Sequence, residues 1–395
     1  MSCFHRLAPA LICLSRTKIG GLNLKKLLKN FEPAKGRNYD IGVILSVVFL
    51  TAIGVLMVYS TSSVYSMENF GDPNYYLKRH AMYLALGLLG MFAVMSVDYR
   101  VFRKLVYPAY ILGIVLLVAV LVIGKDVGGA RRWIDLGPFS FQPSEIAKYL
   151  LVLYLAHSLT KKRDKVDSFV VGFASHILVA GIYVILVLLE PDFGTATTMI
   201  AVLFSMMFIG EVRFRYLVPL GLVSVALLTV AVLTKGYRMR RITAYMDPWQ
   251  DPLGAGYQSI QSFIAFALGG IYGTGLGDSS QKLFFLPQAH TDFIFSIIGE
   301  ELGFIGVLLV IIGFVVLLVR SLRVSLRAPD LFGCYLVFGC VVLIALQAGM
   351  NMAVAVGLFP TKGLILPFIS YGGTSLITSL TAVGVILNVS RSGIK

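Results

Sequence analysis

From residue 41 onward, apolar residues come in continuous blocks separated by short polar intervals. Ten blocks can be drawn, near 41–60, 80–97, 108–124, 145–160, 168–189, 195–210, 216–234, 292–320, 331–356 and 374–390. Most approach the roughly 20 residues that an α-helix needs to cross a bilayer. The fourth and sixth are short. Strict alternation, the mark of a membrane β-barrel, is missing. The pattern predicts an all-α polytopic membrane protein with about ten transmembrane helices. An even number of crossings puts both termini on one side.

Composition supports this picture. Hydrophobic residues make up 57% and charged residues 14%, against about a quarter charged in an ordinary soluble domain. With the N-terminus inside, about two thirds of the 34 Lys and Arg fall on inner segments, the distribution expected of cytoplasmic loops. Both termini are therefore expected in the cytoplasm. A net charge of +14 would suggest nucleic acid in a soluble protein. Here it fits loop anchoring and anionic lipid headgroups, with no nucleic-acid partner. Residues 1–39 read as a basic cytoplasmic extension, ahead of one membrane domain over 40–395. The run "LAPALICL" (8–15) is too short and poorly flanked for a signal peptide. Cys3, Cys13, Cys334 and Cys340 show neither metal spacing nor a disulfide framework.

The longest interval, residues 235–291, is the fourth outer loop. A loop of this length in a compact protein is usually functional. Within it Ile260, Phe263, Ile264 and Ala267 fall at i, i+3, i+4, i+7, with Gln258 and Gln261 off that stripe. This predicts an amphipathic helix in the interface plane, a floor or lid beside a lipid-borne substrate. "GGIYGTGLG" (269–277) lacks the strand and the Lys-Ser/Thr of a nucleotide loop. Its glycines suit close backbone approach or tight turns. Outer cations gather at Arg131 and Arg132, at Arg238, Arg240 and Arg241, and at Lys362. Either long outer loops escape the charge rule, or these residues meet an anionic ligand. Trp133 is either an interfacial anchor or part of that site.

Glu145 and Lys148 share a helix face at i, i+3. Charges inside membrane helices face a polar cavity or each other. A structural ion pair and a substrate-cavity wall both remain open. In "EPDFG" (190–194), Pro191 breaks one helix and Asp192 is placed to cap the next before Thr195. "FPTKGLILPFISYGGTSL" (359–376) holds Pro360, Pro367, Gly372 and Gly373. Such broken backbone at membrane depth must be satisfied by protein or water. The segment is expected to re-enter and present Lys362 and Ser370 to a central cavity.

"HTDFIFSIIGEELGFIG" (290–306) brings three acids into one apolar block. Asp292 is either the N-cap of a helix starting near Phe293 or a partly desolvated general base near arginines. On a helix, Glu300 would lie roughly 80° around from it and Glu301 about 180°. The three acids therefore cannot line one centre, and at least one Glu should pack against another helix. A metal site from His290, Asp292 and Glu300 is not supported by this spacing. The residues alone describe a membrane enzyme or transporter handling an anionic lipid substrate.

Four segments, "GARRWIDLGPFSFQPSEIAK", "EPDFGTA", "LPQAHTDFIFSIIGEELGFIG" and "PTKGLILPFISYGGTSL", together resemble the SEDS family of bacterial cell-wall proteins, whose members include FtsW, RodA and SpoVE. The likeness runs from about residue 41 to 390 and is nearer to FtsW and SpoVE than to RodA. It implies a peptidoglycan glycosyltransferase that polymerises lipid II outside the bacterial cytoplasmic (inner) membrane, at the division septum. The implied partners are lipid II, the nascent glycan on undecaprenyl pyrophosphate, membrane lipids, a class B penicillin-binding protein and other divisome proteins. The family's essential acid falls on Asp292, and its loop tryptophan on Trp133. Arg238 and Arg241 would clamp the pyrophosphate, with Lys362 or Arg132 assisting. Glu145, Lys148, Gln258, His290 and Ser370 complete the candidate substrate contacts. A divalent cation such as Mg2+ would help neutralise the pyrophosphate, although the sequence shows no dedicated ligand set. Two other readings use the same cavity or none: a lipid II flippase, and a non-catalytic division scaffold.

Overall fold

In the computed structural model, the described residues are 39–392 apart from 128–129, 138, 234–235, 284, 288 and 362. The expectations for the N-terminal extension through residue 38, and for Lys362, lie outside them. Asp40 starts the bundle. Its carboxylate accepts from the Val43 backbone N–H at 3.1 Å and caps α1 (Ile41–Phe70), satisfying one of the free donors of the first turn. Then follow α2 (Tyr75–Ser96), α3 (Phe102–Ile123), α4 (Pro143–Lys161), α5 (Ser175–Leu189), α6 (Phe193–Ile209) and α7 (Phe214–Leu233). The long outer loop holds α8 (Gly236–Met246) and α9 (Tyr257–Gly269). The chain closes with α10 (Ile294–Leu326), α11 (Leu331–Ala355) and α12 (Gly373–Ser392).

Among the described residues, seven helical segments are long and apolar enough to cross a membrane: α1, α2, α3 with its preceding turn (Tyr99–Ile123), α5 with the helical turn before it (Phe169–Leu189), α10, α11 and α12. The other three expected spans are present as α4, which carries Glu145 and Lys148, and the shorter or less regular α6 and α7. Helix α1 runs ten residues past its apolar block. Thr61, Ser62 and Ser66 in that extension, and Ser60 at its edge, are buried in protein rather than facing lipid. Thr61 and Ser62 return their hydroxyls to the Met57 and Val58 carbonyls, at 2.7 and 2.6 Å.

Long-range bonds place the ends. The Asp40 N–H donates to Ser390 Oγ at 2.9 Å, Tyr99 OH donates to Asp330 at 2.7 Å, and the Tyr99 N–H donates to Asn388 at 3.3 Å. The start of α1, the α2–α3 turn, the start of α11 and the end of α12 therefore share one end of the bundle. Helices α11 and α12 are the most buried spans. A Cβ at Gly384 of α12 would lie 2.7 Å from the Met91 carbonyl oxygen of α2, so α12 and α2 touch through their backbones, as small residues allow between membrane helices.

Helix α10 is broken at Gly303 (φ 65°, ψ −166°). A break exposes carbonyls and N–H groups that lipid cannot satisfy. The glycine loop satisfies them. Thr274 and Gly275 donate to the Glu300 and Glu301 carbonyls at 2.9 and 3.2 Å, while Phe304 and Ile305 donate to Gly270 and Ile271 at 2.9 and 3.3 Å. Gly273, at φ +85°, lies so close that a Cβ would sit 2.2 Å from the Glu301 oxygen. The close approach expected of "GGIYGTGLG" has this role.

Helix α9 forms within its expected stretch, but its buried residues are Ile260, Ser262, Ala265 and Gly269, while Ala267 is exposed. The buried face is set by small residues. Gly269 lies against the Gly299 carbonyl, and Ser262 bonds Ser296 at 2.6 Å and the Ala355 carbonyl at 2.6 Å. Packing on α10 by close approach wins over the larger apolar stripe.

Candidate active site

Three consecutive carbonyls before α10 are each held from outside. Tyr371 donates its N–H to the His290 oxygen at 2.9 Å. Ser370 Oγ donates to the Thr291 oxygen at 2.6 Å, and Asn351 Nδ2 to the Asp292 oxygen at 2.8 Å. Asn351 also donates to Leu364 O at 2.6 Å, and Ser370 accepts from the Leu366 N–H at 3.0 Å. Residues 290–292, the end of α11 and the 363–371 segment are thus one unit. Ser370, expected to face a cavity, is buried and occupied with this backbone.

The Asp292 side chain is left out of that network. Helix α10 begins at Ile294, its cap is Phe293, and no side chain caps it. The capping reading of Asp292 therefore does not hold. Among the described residues no hydrogen bond reaches its carboxylate. It points toward Gly363, where a Cβ would stand 3.4 Å from Oδ2. Asp292 is half-buried. Loss of water around the carboxylate raises its pKa to about 7, against the opposing pull of Arg241.

Helix α8, unforeseen in the sequence, delivers that arginine. Tyr245 OH donates to the Leu358 carbonyl at 3.1 Å, and Arg241 Nη1 to the Thr361 carbonyl at 3.2 Å. Arg241 remains exposed. Arg238 is one turn earlier on α8, and its side chain lies outside the described ones, as does Lys362.

A three-stranded antiparallel sheet, β1 (Lys125–Val127), β2 (Ala130–Leu136) and β3 (Phe139–Phe141), covers the same end. Trp133 is half-buried on β2. Arg132 donates Nε to the Glu190 carbonyl at 3.3 Å and bonds the Pro191 carbonyl as well, so its guanidinium ties the sheet to the α5–α6 turn. Asp192 caps α6 as expected, accepting from the Thr195 N–H at 3.0 Å. Its other oxygen accepts from Gln142 at 3.3 Å, and the Gln142 N–H donates to Thr374 at 3.0 Å. Glu190 is fully buried and neither carboxyl oxygen has a partner. Burial, with Asp192 nearby, raises its pKa to about 8 despite Arg132.

Other candidates lie apart from Asp292 or serve the scaffold. Glu145 and Lys148 form an ion pair at 2.6 Å, with Lys148 1% exposed. Gln347 donates to the second Glu145 oxygen at 3.4 Å. The geometry is that of an internal strut rather than a wall open to substrate. Gln258 is half-buried on α9, with no bond to the Asp292 unit. His290 stands among aromatic rings, 4.8 Å from Tyr76 and 5.9 Å from Tyr371, and burial lowers its pKa to about 4. Asn351 escaped the sequence reading. Its signal was a carboxamide inside an apolar block, costly there unless it has work to do.

A multi-pass helical membrane protein whose loop-covered end holds, among the described residues, an unbonded Asp292 carboxylate and an arginine is the class these features define. The chain belongs to the cell cycle protein family of FtsW, RodA and SpoVE, whose family model matches residues 42–394. It is 49% identical over 354 residues to a probable peptidoglycan glycosyltransferase FtsW of Geobacter sp. strain M18, covering 89% of this chain and 96% of that protein. Stage V sporulation protein E of Bacillus subtilis is 42% identical, with 89% and 96% covered. Among solved structures, a peptidoglycan synthase complex described as coordinating polymerization and crosslinking matches at TM-score 0.74 and 34% identity, over 90% of this chain and 98% of that one. The D255A mutant of the rod shape determining protein RodA of Thermus thermophilus matches at TM-score 0.69 and 30% identity, over 90% and 99%.

Proposed function

We propose that this protein is a peptidoglycan glycosyltransferase that polymerises lipid II on the outer side of the bacterial inner membrane, in septal wall synthesis. The observation that carries the mechanism is the Asp292 carboxylate, held in place through its backbone, without a hydrogen bond among the described residues and with its pKa raised by burial to about 7. Such a group accepts a proton readily at neutral pH. Asp292 takes the proton from the 4-hydroxyl of the acceptor sugar. That oxygen attacks the anomeric carbon of the donor and inverts an α-linkage into a β-1,4 bond. The bond to undecaprenyl pyrophosphate breaks, and the departing charge meets Arg241. A pyrophosphate leaves as a stable anion, so the second carboxylic acid of glycosidases is not required. Among the described residues no three His, Cys, Asp or Glu side chains gather to hold a metal.

A class B penicillin-binding protein is the proposed partner, cross-linking strands as they emerge. Support comes from the names of the FtsW relatives and from the synthase complex that shares this fold. The decisive experiment follows labelled lipid II polymerisation by the purified protein with that partner, wild type against Asp292→Asn. Loss of glycan with lipid II still bound is the expected result. Survival of polymerisation with failed translocation would instead establish a flippase, and normal division by an Asp292→Asn strain a scaffold.

A further inference from the structure

We propose that a cleft between α6, α7 and α11 binds an anionic phospholipid of the inner leaflet, with an acyl chain between the helices and the phosphate on the α6–α7 turn. The cleft has a volume of about 490 Å³, within the range of small-molecule sites. Phe204, Phe208 and Ile209 of α6, Phe214 and Leu217 of α7, and Phe338 of α11 line it. Ser205 adds a hydroxyl to that lining, but it donates to the Ala201 carbonyl of its own helix at 2.8 Å. Among the described residues, the wall therefore asks for no polar guest. The cleft exists because α7 packs loosely. Of the described α7 side chains only Leu217 is buried, while Phe214 is 64% and Val218 46% exposed.

Location selects the headgroup. Phe338 stands two turns into α11, and the start of α11 shares its end of the bundle with the start of α1 and the end of α12. Asn351, which holds the Asp292 carbonyl, is thirteen residues further along α11, about 20 Å away. The cleft is thus remote from the proposed chemistry, at the end that the Lys and Arg distribution assigns to the cytoplasm. Its mouth is basic. Arg213 and Arg215 flank Phe214, and Arg213 Nε meets Asp167 at 2.7 Å, joining this turn to the 161–167 stretch. With Lys161, Lys162, Arg163 and Lys165, these two turns hold six cations against the carboxylates of Asp164, Asp167 and Glu211. Such a cluster is drawn to the anionic headgroups of the cytoplasmic leaflet. Arg215 is exposed, and its guanidinium carries five N–H donors, of which one bonds the Tyr216 hydroxyl at 2.6 Å. A phosphate accepts from a fork of this kind. The guest is a chain rather than a partner's helix, because a helix about 10 Å wide would use up this volume in little more than one turn.

The test uses the full chain in detergent micelles, with lipid retention read by native mass spectrometry. Dioleoyl phosphatidylglycerol and dioleoyl phosphatidylcholine share their chains and differ in net charge. Undecaprenyl phosphate keeps the negative charge and changes the chain. Wild type should retain one phosphatidylglycerol in preference to phosphatidylcholine, and its melting temperature should rise on binding. A basic residue at an anionic surface contributes about fivefold, so Arg213→Gln combined with Arg215→Gln should weaken phosphatidylglycerol binding roughly 25-fold. Phosphatidylcholine retention should not change in that variant. Ser205→Trp, which fills the cleft, should remove the retained phosphatidylglycerol, and Val218→Trp at the exposed rim decides the matter if that variant does not fold. Equal retention of the two phospholipids by wild type overturns the site, reducing the cleft to ordinary bilayer contact. An unchanged preference in both the arginine and the tryptophan variants overturns it as well, placing the lipid elsewhere. Displacement of phosphatidylglycerol by undecaprenyl phosphate at equal concentration also overturns it, making the cleft an isoprenoid site.

Discussion

Asp292, just before α10, and the Glu300–Glu301 pair within it lie inside ten residues of one another, yet the fold treats them oppositely. Glu301 accepts from Ser60 at 2.6 and 2.7 Å and from Lys282 at 2.7 Å. Glu300 accepts from the Ser280 N–H at 2.9 Å, the Ser280 hydroxyl at 3.0 Å and the Gln281 N–H at 3.3 Å, and also from Ser279. These bonds pin the 279–282 stretch onto α10 and α10 onto α1. Asp292 has its backbone fixed by Asn351, and among the described residues its carboxylate is unbonded. Donors aimed at a carboxylate stabilise its charge and make it a strut. Burial without donors destabilises the charge and makes the group a proton acceptor.

The sharpest way to break this contrast is Asp292→Asn, which should cost roughly 10²–10⁴-fold in lipid II polymerisation, the usual worth of a positioned base. Its melting temperature should not fall, because no bond to the carboxylate is lost. Next comes Asn351→Leu, which releases the Asp292 and Leu364 carbonyls together. A shift of about an ångström in a catalytic group can cost on the order of 100-fold, so kcat should fall by that order while lipid II binding persists. Glu300→Gln should show the opposite profile. Hydrogen bonds to a charged group contribute about 1.5–3 kcal/mol each, so its melting temperature should drop clearly, with activity per folded molecule reduced far less than in Asp292→Asn. Turnover against pH should rise through about 7 as Asp292 loses its proton, and a flat profile from pH 6 to 8 would remove it as the base.

The smallest effect concerns Glu190. Its pKa is raised on folding to about 8 from a reference of 4.5, so the folded state binds the extra proton. Stability from this group is therefore present below about 4.5 and is lost as pH rises through about 8. Glu190→Gln should flatten that decline, seen as a smaller fall in melting temperature between pH 6 and 9.

Much of the fold was legible because lipid imposes a simple rule: long apolar blocks become helices. The ten blocks, the Asp192 cap and the close-packing glycine loop all follow from local chemistry. Helix boundaries did not, as α1 shows. Its polar extension is sheltered by neighbours that no local window contains. The amphipathic stripe on α9 misled for the same reason, because Gly269 and Gly299 set the contact. At the site, Asp292 and Arg241 stood out as costly charges, whereas Asn351, Tyr76 and Tyr371 looked like ordinary residues until the chain brought them together.

The sequence by itself determined a helical membrane protein, its family and the acids and cations held at one end. Tertiary structure alone decided which of the three acids around the start of α10 is free to react. Glu300 and Glu301 are spent because Ser60, Lys282 and the 279–281 backbone reach them, and those partners are up to 241 residues distant. A carboxylate's chemistry depends on the donors and water around it, and that shell is assembled only by folding.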